Sequence, residues 1–287
     1  MSKLLSKVYF EITNICNLSC SFCHGTKRVK KFISYDDFKT VCDKLKGKCE
    51  YLYLHLLGEP LFHPDIEKIA EYANKSGFKV MLTTNGTLCS STPDGVLSSF
   101  HKVSISLHSF EANDGNSTLE EYLEGCIDLA RRCKGLGVIC TFRLWNGKDD
   151  DDSFNSRVLS ELHKAFSDEW IKTRSGYKLC ASPKGKDEVY LEYGESFEWP
   201  DINLAESDDE IFCYALRTQI GILCDGTVVP CCLDADGSIP LGNIFEDSLE
   251  DILSSERAKA LYDSFTSHKP CERLCHTCGY ARVKHPG

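Results

Sequence analysis

The chain has no run of about twenty apolar residues, so no helix able to cross a bilayer is expected. Its first residues, Met1–Lys7, hold no long apolar core and lead straight into a strand-like segment, unlike a secretory signal. Basic residues are in deficit, with 33 Lys and Arg against 43 Asp and Glu and a net charge of −10. That excludes general nucleic-acid binding, which needs a basic stripe, but leaves room for the local basic pocket of a tRNA-modifying enzyme. The densest basic stretch, Lys27, Arg28, Lys30 and Lys31, reads as a solvated loop. There is no solenoid-type repeat and no low-complexity tract. At 287 residues, 42% hydrophobic and 26% charged, the chain is sized for one large α/β domain, or a main domain with a small one.

Cysteine is abundant instead, with 17 residues. Without an export signal these read as reduced thiols in a cytoplasmic setting. Such tolerance of free thiols also suits an anaerobic host. Cys42, Cys49, Cys89, Cys126, Cys133 and Cys140 stand singly among apolar residues and are expected to be small core residues. Two other groups carry chemistry. Cys16, Cys20 and Cys23 lie on one short stretch and could hold three corners of a [4Fe–4S] cube, leaving one iron open. Zinc is the alternative, with His24 as fourth ligand. The second group is Cys213, Cys231 and the CxxC pair Cys275 and Cys278, which could close an iron–sulfur cluster or a structural zinc site. Cys224, Cys232 and Cys271 compete for that assignment. Adjacent residues on a strand face opposite ways, so only one of Cys231 and Cys232 should ligate.

Hydrophobic periodicity predicts strands over 8–14, 51–56, 78–83, 103–108 and 138–144. Helices are predicted over 35–45, 64–76 (Pro64 in its first turn), 119–133 and 154–166. Alternation of this kind implies a parallel sheet with right-handed crossovers. Five or six such units make a barrel or partial barrel whose active site lies at the carboxyl ends of the strands. Asp149–Asp152 is a charged loop. The pattern weakens over 177–211, with a short strand at Tyr190–Tyr193. Gln219–Leu223 and Thr227–Pro230 read as a hairpin turning at Asp225-Gly226, and 249–265 as one helix.

The first cysteine spacing, with Phe22 before the last thiol, resembles the CxxxCxxC signature of the radical S-adenosylmethionine (radical SAM) enzymes. Further features fall in that family's order. Gly58-Glu59-Pro60 follows the second strand, with Leu57 where a first glycine is usual. Thr83-Thr84-Asn85-Gly86 ends the third, Ser106 the fourth, and Arg143 lies near the end of the fifth. The second cysteine set, with Leu241-Gly242-Asn243-Ile244, resembles the twitch extension, a shortened relative of the SPASM domain. The resemblance implies a partial (β/α)6 TIM-like barrel over 1–176, its last strand and a linker over 177–211, and a small C-terminal α+β auxiliary-cluster domain over 212–287.

The resemblance further implies one [4Fe–4S] cluster on Cys16, Cys20 and Cys23 that binds S-adenosyl-L-methionine. A second, auxiliary cluster would sit on Cys213, Cys231, Cys275 and Cys278. Phe22, Gly58, Glu59, Pro60, Asn85, Ser106 and Arg143 would contact the cofactor. The implied activity is cleavage of S-adenosylmethionine to a 5′-deoxyadenosyl radical that abstracts substrate hydrogen. The auxiliary cluster would then accept an electron, giving a two-electron oxidation of a small molecule. Family partners would include an electron donor such as flavodoxin or ferredoxin. Modification of a peptide or protein (thioether formation, epimerisation, or Ser or Cys oxidation) is the alternative. It is less expected because so little precedes the first strand that a peptide-recognition domain would be missing. A zinc module at both sites and a two-cluster electron carrier are the non-catalytic readings. Glu11, Tyr53, His55, His108 and Trp199 could face the barrel mouth, with no catalytic base singled out.

Overall fold

The computed structural model describes residues 5–112, 117–148, 150, 152–166, 170–180, 188–207 and 210–284. Strands and helices alternate through the first half: β1 (Leu5–Phe10), α1 (Tyr35–Leu45), β2 (Cys49–Tyr53), α2 (Ile66–Lys75), β3 (Lys79–Thr84), the short α3 (Asp94–Leu97), β4 (Lys102–Ser106), α4 (Leu119–Gly135), β5 (Ile139–Leu144) and α5 (Ser153–Ala165). Then come β6 (Ile171–Lys172), β7 (Gly176–Cys180), β8 (Val189–Tyr193), β9 (Gln219–Ile222), β10 (Thr227–Val229), β11 (Gly242–Asn243), α6 (Leu249–Ser254), α7 (Glu256–Thr266), α8 (Arg273–His276) and α9 (Gly279–Lys284).

One sheet carries all the strands in the order β11-β10-β9-β1-β2-β3-β4-β5-β8-β7-β6. Every pairing from β9 to β8 is parallel, and antiparallel strands finish both ends. The fold is therefore the expected α/β partial barrel, with β8 as sixth strand. A seventh parallel strand, β9, lies on the far side of β1, where Lys7 pairs Gln219 and Phe10 pairs Ile222.

Local chemistry explains the elements. α1 begins at Ser34, whose hydroxyl accepts from the Asp37 N–H, and buries Phe38, Val41, Cys42 and Leu45 on one face. A Thr118/Glu121 capping box starts α4. Cys42, Cys49, Cys89, Cys126, Cys133 and Cys140 are all buried in the core, as small hydrophobes. Of the charged stretch 149–152, residues 149 and 151 lie outside the described residues, and Asp152 caps α5.

Four readings need correction. The first ladder ends at Phe10, because Thr13 and Asn14 bond the returning segment instead: Thr13 pairs Phe32, and the Asn14 side chain bonds Val29 and Lys31. Pro64 precedes its helix, which starts at Ile66. The C-terminal helix is broken at Ser255, whose extended backbone ends α6 and whose hydroxyl caps α7. Finally, a β6–β7 hairpin stands where the pattern weakened; β6 has only two residues, too few to show a period.

Candidate active site

The loop from Cys16 to Cys23 leaves the carboxyl end of β1, and none of its thiols is in a disulfide. Cys16 and Cys20 are partly buried and Cys23 exposed. Burial, then the neighbouring Cys23 and Cys16 thiols, push Cys20 up to about 11, and burial raises Cys16. The Leu18 N–H and the Asn85 amide point at the Cys16 sulfur, at 3.5 and 3.7 Å. Three sulfurs on one loop with N–H donors around them suit an iron–sulfur cluster bound by three corners. Among the described residues, no three His, Cys, Asp or Glu side chains converge on a point that a single metal ion would fill. His24 does not stand free as a fourth ligand, since its Nε2 pairs with Asp236 at 3.0 Å.

Gly58-Glu59-Pro60 packs against this loop's approach. A Cβ at Gly58 would lie 2.3 Å from the Thr13 carbonyl oxygen, and its φ of +76° suits glycine. The Glu59 N–H donates to the Ile15 carbonyl at 2.9 Å. The Glu59 carboxylate is buried and accepts from the Leu61 and Asn85 N–H groups at 3.0 and 2.7 Å. Burial outweighs these bonds and raises it to about 7. Pro60 starts a 3-10 turn over Pro60–Phe62. Leu57 has a packing reason: it joins Leu56, Leu223, Val229 and Ala235 in a small core between barrel and C-terminal hairpin. Asn85 is held by Asn17, Thr87 and the Glu59 carboxylate, and its carbonyl accepts from Tyr122 at 2.8 Å.

Ser106 and Arg143 sit side by side in the β4–β5 register. Arg143 is not a surface residue: its side chain is 15% exposed, its Nε has no hydrogen-bond partner among the described residues, and its guanidinium lies over the Trp145 ring. The Glu192 carboxylate is 4.0 Å away and Thr83 accepts one N–H at 3.3 Å. A planar fork so placed can take a carboxylate. Tyr9 stacks on Tyr53 nearby, and His55 meets both rings edge-on. Burial, then the Arg143 charge, push His55 down to about 3, so its ring is neutral and its Nδ1 unpartnered. His108 packs on Phe22 at 4.9 Å, and its Nδ1 lies near both the Arg143 carbonyl and the Trp145 N–H, donating to the first in one tautomer or accepting from the second in the other. Phe22 is 44% exposed. Glu11, expected at the mouth, is instead wholly buried in an ion pair with Arg28 at 2.7 Å. Arg28 accordingly leaves the solvated-loop reading, while Lys27, Lys30 and Lys31 are exposed.

The four thiols of the second cysteine set lie in the C-terminal unit, near enough to act electrostatically on one another. Burial raises Cys231, and the thiols of Cys213, Cys278 and Cys275 act on it as well as its neighbour Cys232. Cys275 in turn feels Cys213 and Cys278. The competitors lie elsewhere. Cys232 sits beside Lys7 and Tyr9, Cys224 donates its S–H to the Glu11 carbonyl at 3.1 Å, and Cys271 is exposed. Four thiolates would be enough to close a cluster.

Beside the first thiol loop lies a cavity of about 300 Å³, walled by His24, Lys27, Asp201, Asp234 and Asp236 among others, and among the described residues no cysteine lines it. Sequence reasoning did not single out Asp234 or Asp236. Their only signal was an Asp-Ala-Asp-Gly stretch after the Cys231-Cys232 pair, indistinguishable from an ordinary turn. Trp199, proposed for the mouth, stacks near His24 and donates its indole N–H to the Phe22 carbonyl at 2.9 Å.

Residues 10–155 match the family model of the Radical SAM superfamily, and residues 213–279 match SPASM, an iron–sulfur cluster-binding domain. The antilisterial bacteriocin subtilosin biosynthesis protein AlbA of Bacillus subtilis is 27% identical over 282 residues, covering 89% of this chain and 61% of AlbA. The chain thus spans about three fifths of that relative. Among solved structures, BtrN in complex with AdoMet and 2-DOIA superposes with a TM-score of 0.63 at 15% identity, covering 100% of this chain and 98% of BtrN. Streptococcus suis SuiB bound to precursor peptide SuiA gives 0.58 at 16% identity, covering 99% and 71%. At these identities the structures establish the fold.

Proposed function

Since the chain belongs to the radical SAM superfamily and carries a SPASM-type iron–sulfur domain, we propose that it oxidises a small molecule by two electrons. Cys16, Cys20 and Cys23 would hold the cluster that binds S-adenosylmethionine, and Cys213, Cys231, Cys275 and Cys278 one auxiliary [4Fe–4S] cluster. When bound, these groups supply cleavage of S-adenosylmethionine to a hydrogen-abstracting 5′-deoxyadenosyl radical, and an acceptor for the electron left on the substrate after proton loss. The chain's own residues would hold and orient the reactants. Arg143 and Ser106 would take the carboxylate and ribose of the cofactor. The Gly58-Glu59-Pro60 backbone would take its ammonium, and Asn85 and Phe22 would close over it. A flavodoxin or ferredoxin would be the electron donor.

The observation that carries this reading is the second set of four thiols, which could hold an electron acceptor; a cavity of about 300 Å³ beside the first thiol loop is of a size for a small polar substrate. His55 and His108, with lowered proton affinities, are poor candidates for taking the substrate proton. A peptide or protein substrate is the second reading, supported by the 27% identity to AlbA over 89% of this chain.

The test is iron content and 5′-deoxyadenosine formation, measured anaerobically with reductant and S-adenosylmethionine. Wild type is compared with a variant in which Cys16, Cys20 and Cys23 are alanine. The expected result is about eight irons falling to about four, with all cleavage lost. Zinc in place of iron, or deoxyadenosine still formed by the variant, would sink the proposal. About four irons falling to none would keep radical chemistry but remove the acceptor and the case for oxidation.

A further inference from the structure

The loop after Cys23 has little to hold it in shape from within. Residues 20–28 contain no helix or strand. Among the described residues, their one internal backbone hydrogen bond runs from the Cys23 N–H to the Cys20 carbonyl. Order comes from the C-terminal half. The Asp236 carboxylate pairs with His24 Nε2 at 3.0 Å and accepts from the Thr26 hydroxyl and the Lys27 N–H, each at 3.1 Å. The Ala235 carbonyl accepts from Arg28 Nε at 2.8 Å, and Arg28 is fixed from behind by Glu11. Asp236 does this from the wall of the cavity, outside both hydrophobic clusters. Its side chain is 25% exposed, so it contributes little by burial.

We propose that Asp236 is a positioning residue for the first thiol loop, through which the C-terminal unit sets the surroundings of whatever Cys16, Cys20 and Cys23 hold. This rests on reading those thiols as cluster ligands. A molecule filling the cavity would touch Asp236 and His24 together, so its binding would be felt at the loop.

The experiment compares wild type with Asp236→Ala, Asp236→Asn and Asp236→Glu by two readouts. In the iron-free chain, amide hydrogen exchange is followed over residues 24–28 and over α7. In the iron-loaded chain, the electron paramagnetic resonance signal that the triple Cys16/Cys20/Cys23→Ala variant lacks is recorded, with an iron count. Asp236→Ala should speed exchange in 24–28 by about tenfold while α7 is unchanged. It should shift that signal without lowering the iron count. Asp236→Glu should restore both in part, and Asp236→Asn, which keeps an acceptor but not the charge, should fall between. Wild-type exchange and an unmoved signal would overturn the proposal. So would exchange that rises equally across α7, since Asp236 would then only hold the C-terminal unit together. If the triple variant keeps the wild-type iron count, the ligand reading has failed, and the exchange data still decide whether Asp236 holds the loop.

Discussion

Arg143 illustrates how one residue can be legible in type and illegible in setting. Its place near the end of the fifth strand was readable from periodicity. The Trp145 ring below it, Thr83 at 3.3 Å and Glu192 at 4.0 Å were not, because they are set by the packing of β3, β5 and β8. The fork geometry predicts that Arg143→Lys, which keeps the charge, still weakens S-adenosylmethionine binding by about tenfold. Equilibrium dialysis with the iron-loaded chain checks this, and unchanged affinity would remove Arg143 from the cofactor site. His55 and Glu59 give a pH signature. His55 falls to about 3 from 6.5, so between those values the unfolded chain binds the extra proton and acid destabilises the fold. Glu59 rises to about 7 from 4.5, so its contribution is full below 4.5 and is lost as pH rises through 7. The two oppose each other between 4.5 and 6.5. Replacing His55→Phe should therefore give a chain whose stability, relative to wild type, grows as pH falls through that window. The slope would be at most about 1.4 kcal/mol per pH unit. Denaturant titrations of both iron-free chains from pH 7 to 4.5 measure it, and parallel curves would contradict it.

At the level of elements, long amphipathic helices were the most legible. The α1 limits follow from Ser34 and a clean apolar spacing, and α4 from its capping box. The C-terminal helix was misread because apolar periodicity continues across Ser255 while the backbone does not. Ser255 closes α6 and caps α7 through the Ala258 N–H at 3.3 Å. Ser255→Ala removes that acceptor and should cost about 1 kcal/mol. Ser255→Asp should recover most of it, since aspartate caps as well as serine does. Urea denaturation midpoints decide, and a stabilised alanine variant would mean that one continuous helix is the better structure. The sheet's first turn was misjudged for a related reason. Thr13 and Asn14 are compatible with a strand, but their side chains bond the segment returning at Val29–Phe32. Such a partner, fifteen or more residues away, leaves no trace in local periodicity.

For the whole molecule, the order of motifs disclosed the parallel core, but not that the C-terminal half is sewn onto its first strand. Adjacency of β9 to β1 depends on a pairing between residues 7–10 and 219–222, which no short-range pattern encodes. Ile220 and Ile222 are fully buried by it. A chain ended at residue 211 would leave β1 as a bare edge and open that core, so it should aggregate. Size-exclusion chromatography of the shortened chain provides the check. A monodisperse, cooperatively unfolding product would show that the barrel stands without its C-terminal half.

The spacing of the two thiol sets has a consequence for biosynthesis. Cys16, Cys20 and Cys23 follow β1 directly and precede every other strand, so this proposed ligand set would be complete before the barrel exists around it. On a nascent chain it is an open chelator, and any thiophilic ion that arrives early can occupy it. Cys213 to Cys278 encloses the hairpin, α6 and α7, and its loop closes only after every strand of the sheet has been made. Loading of a cluster on the second set would therefore certify a folded barrel, whereas loading of the first would depend on which metal reaches it before folding does.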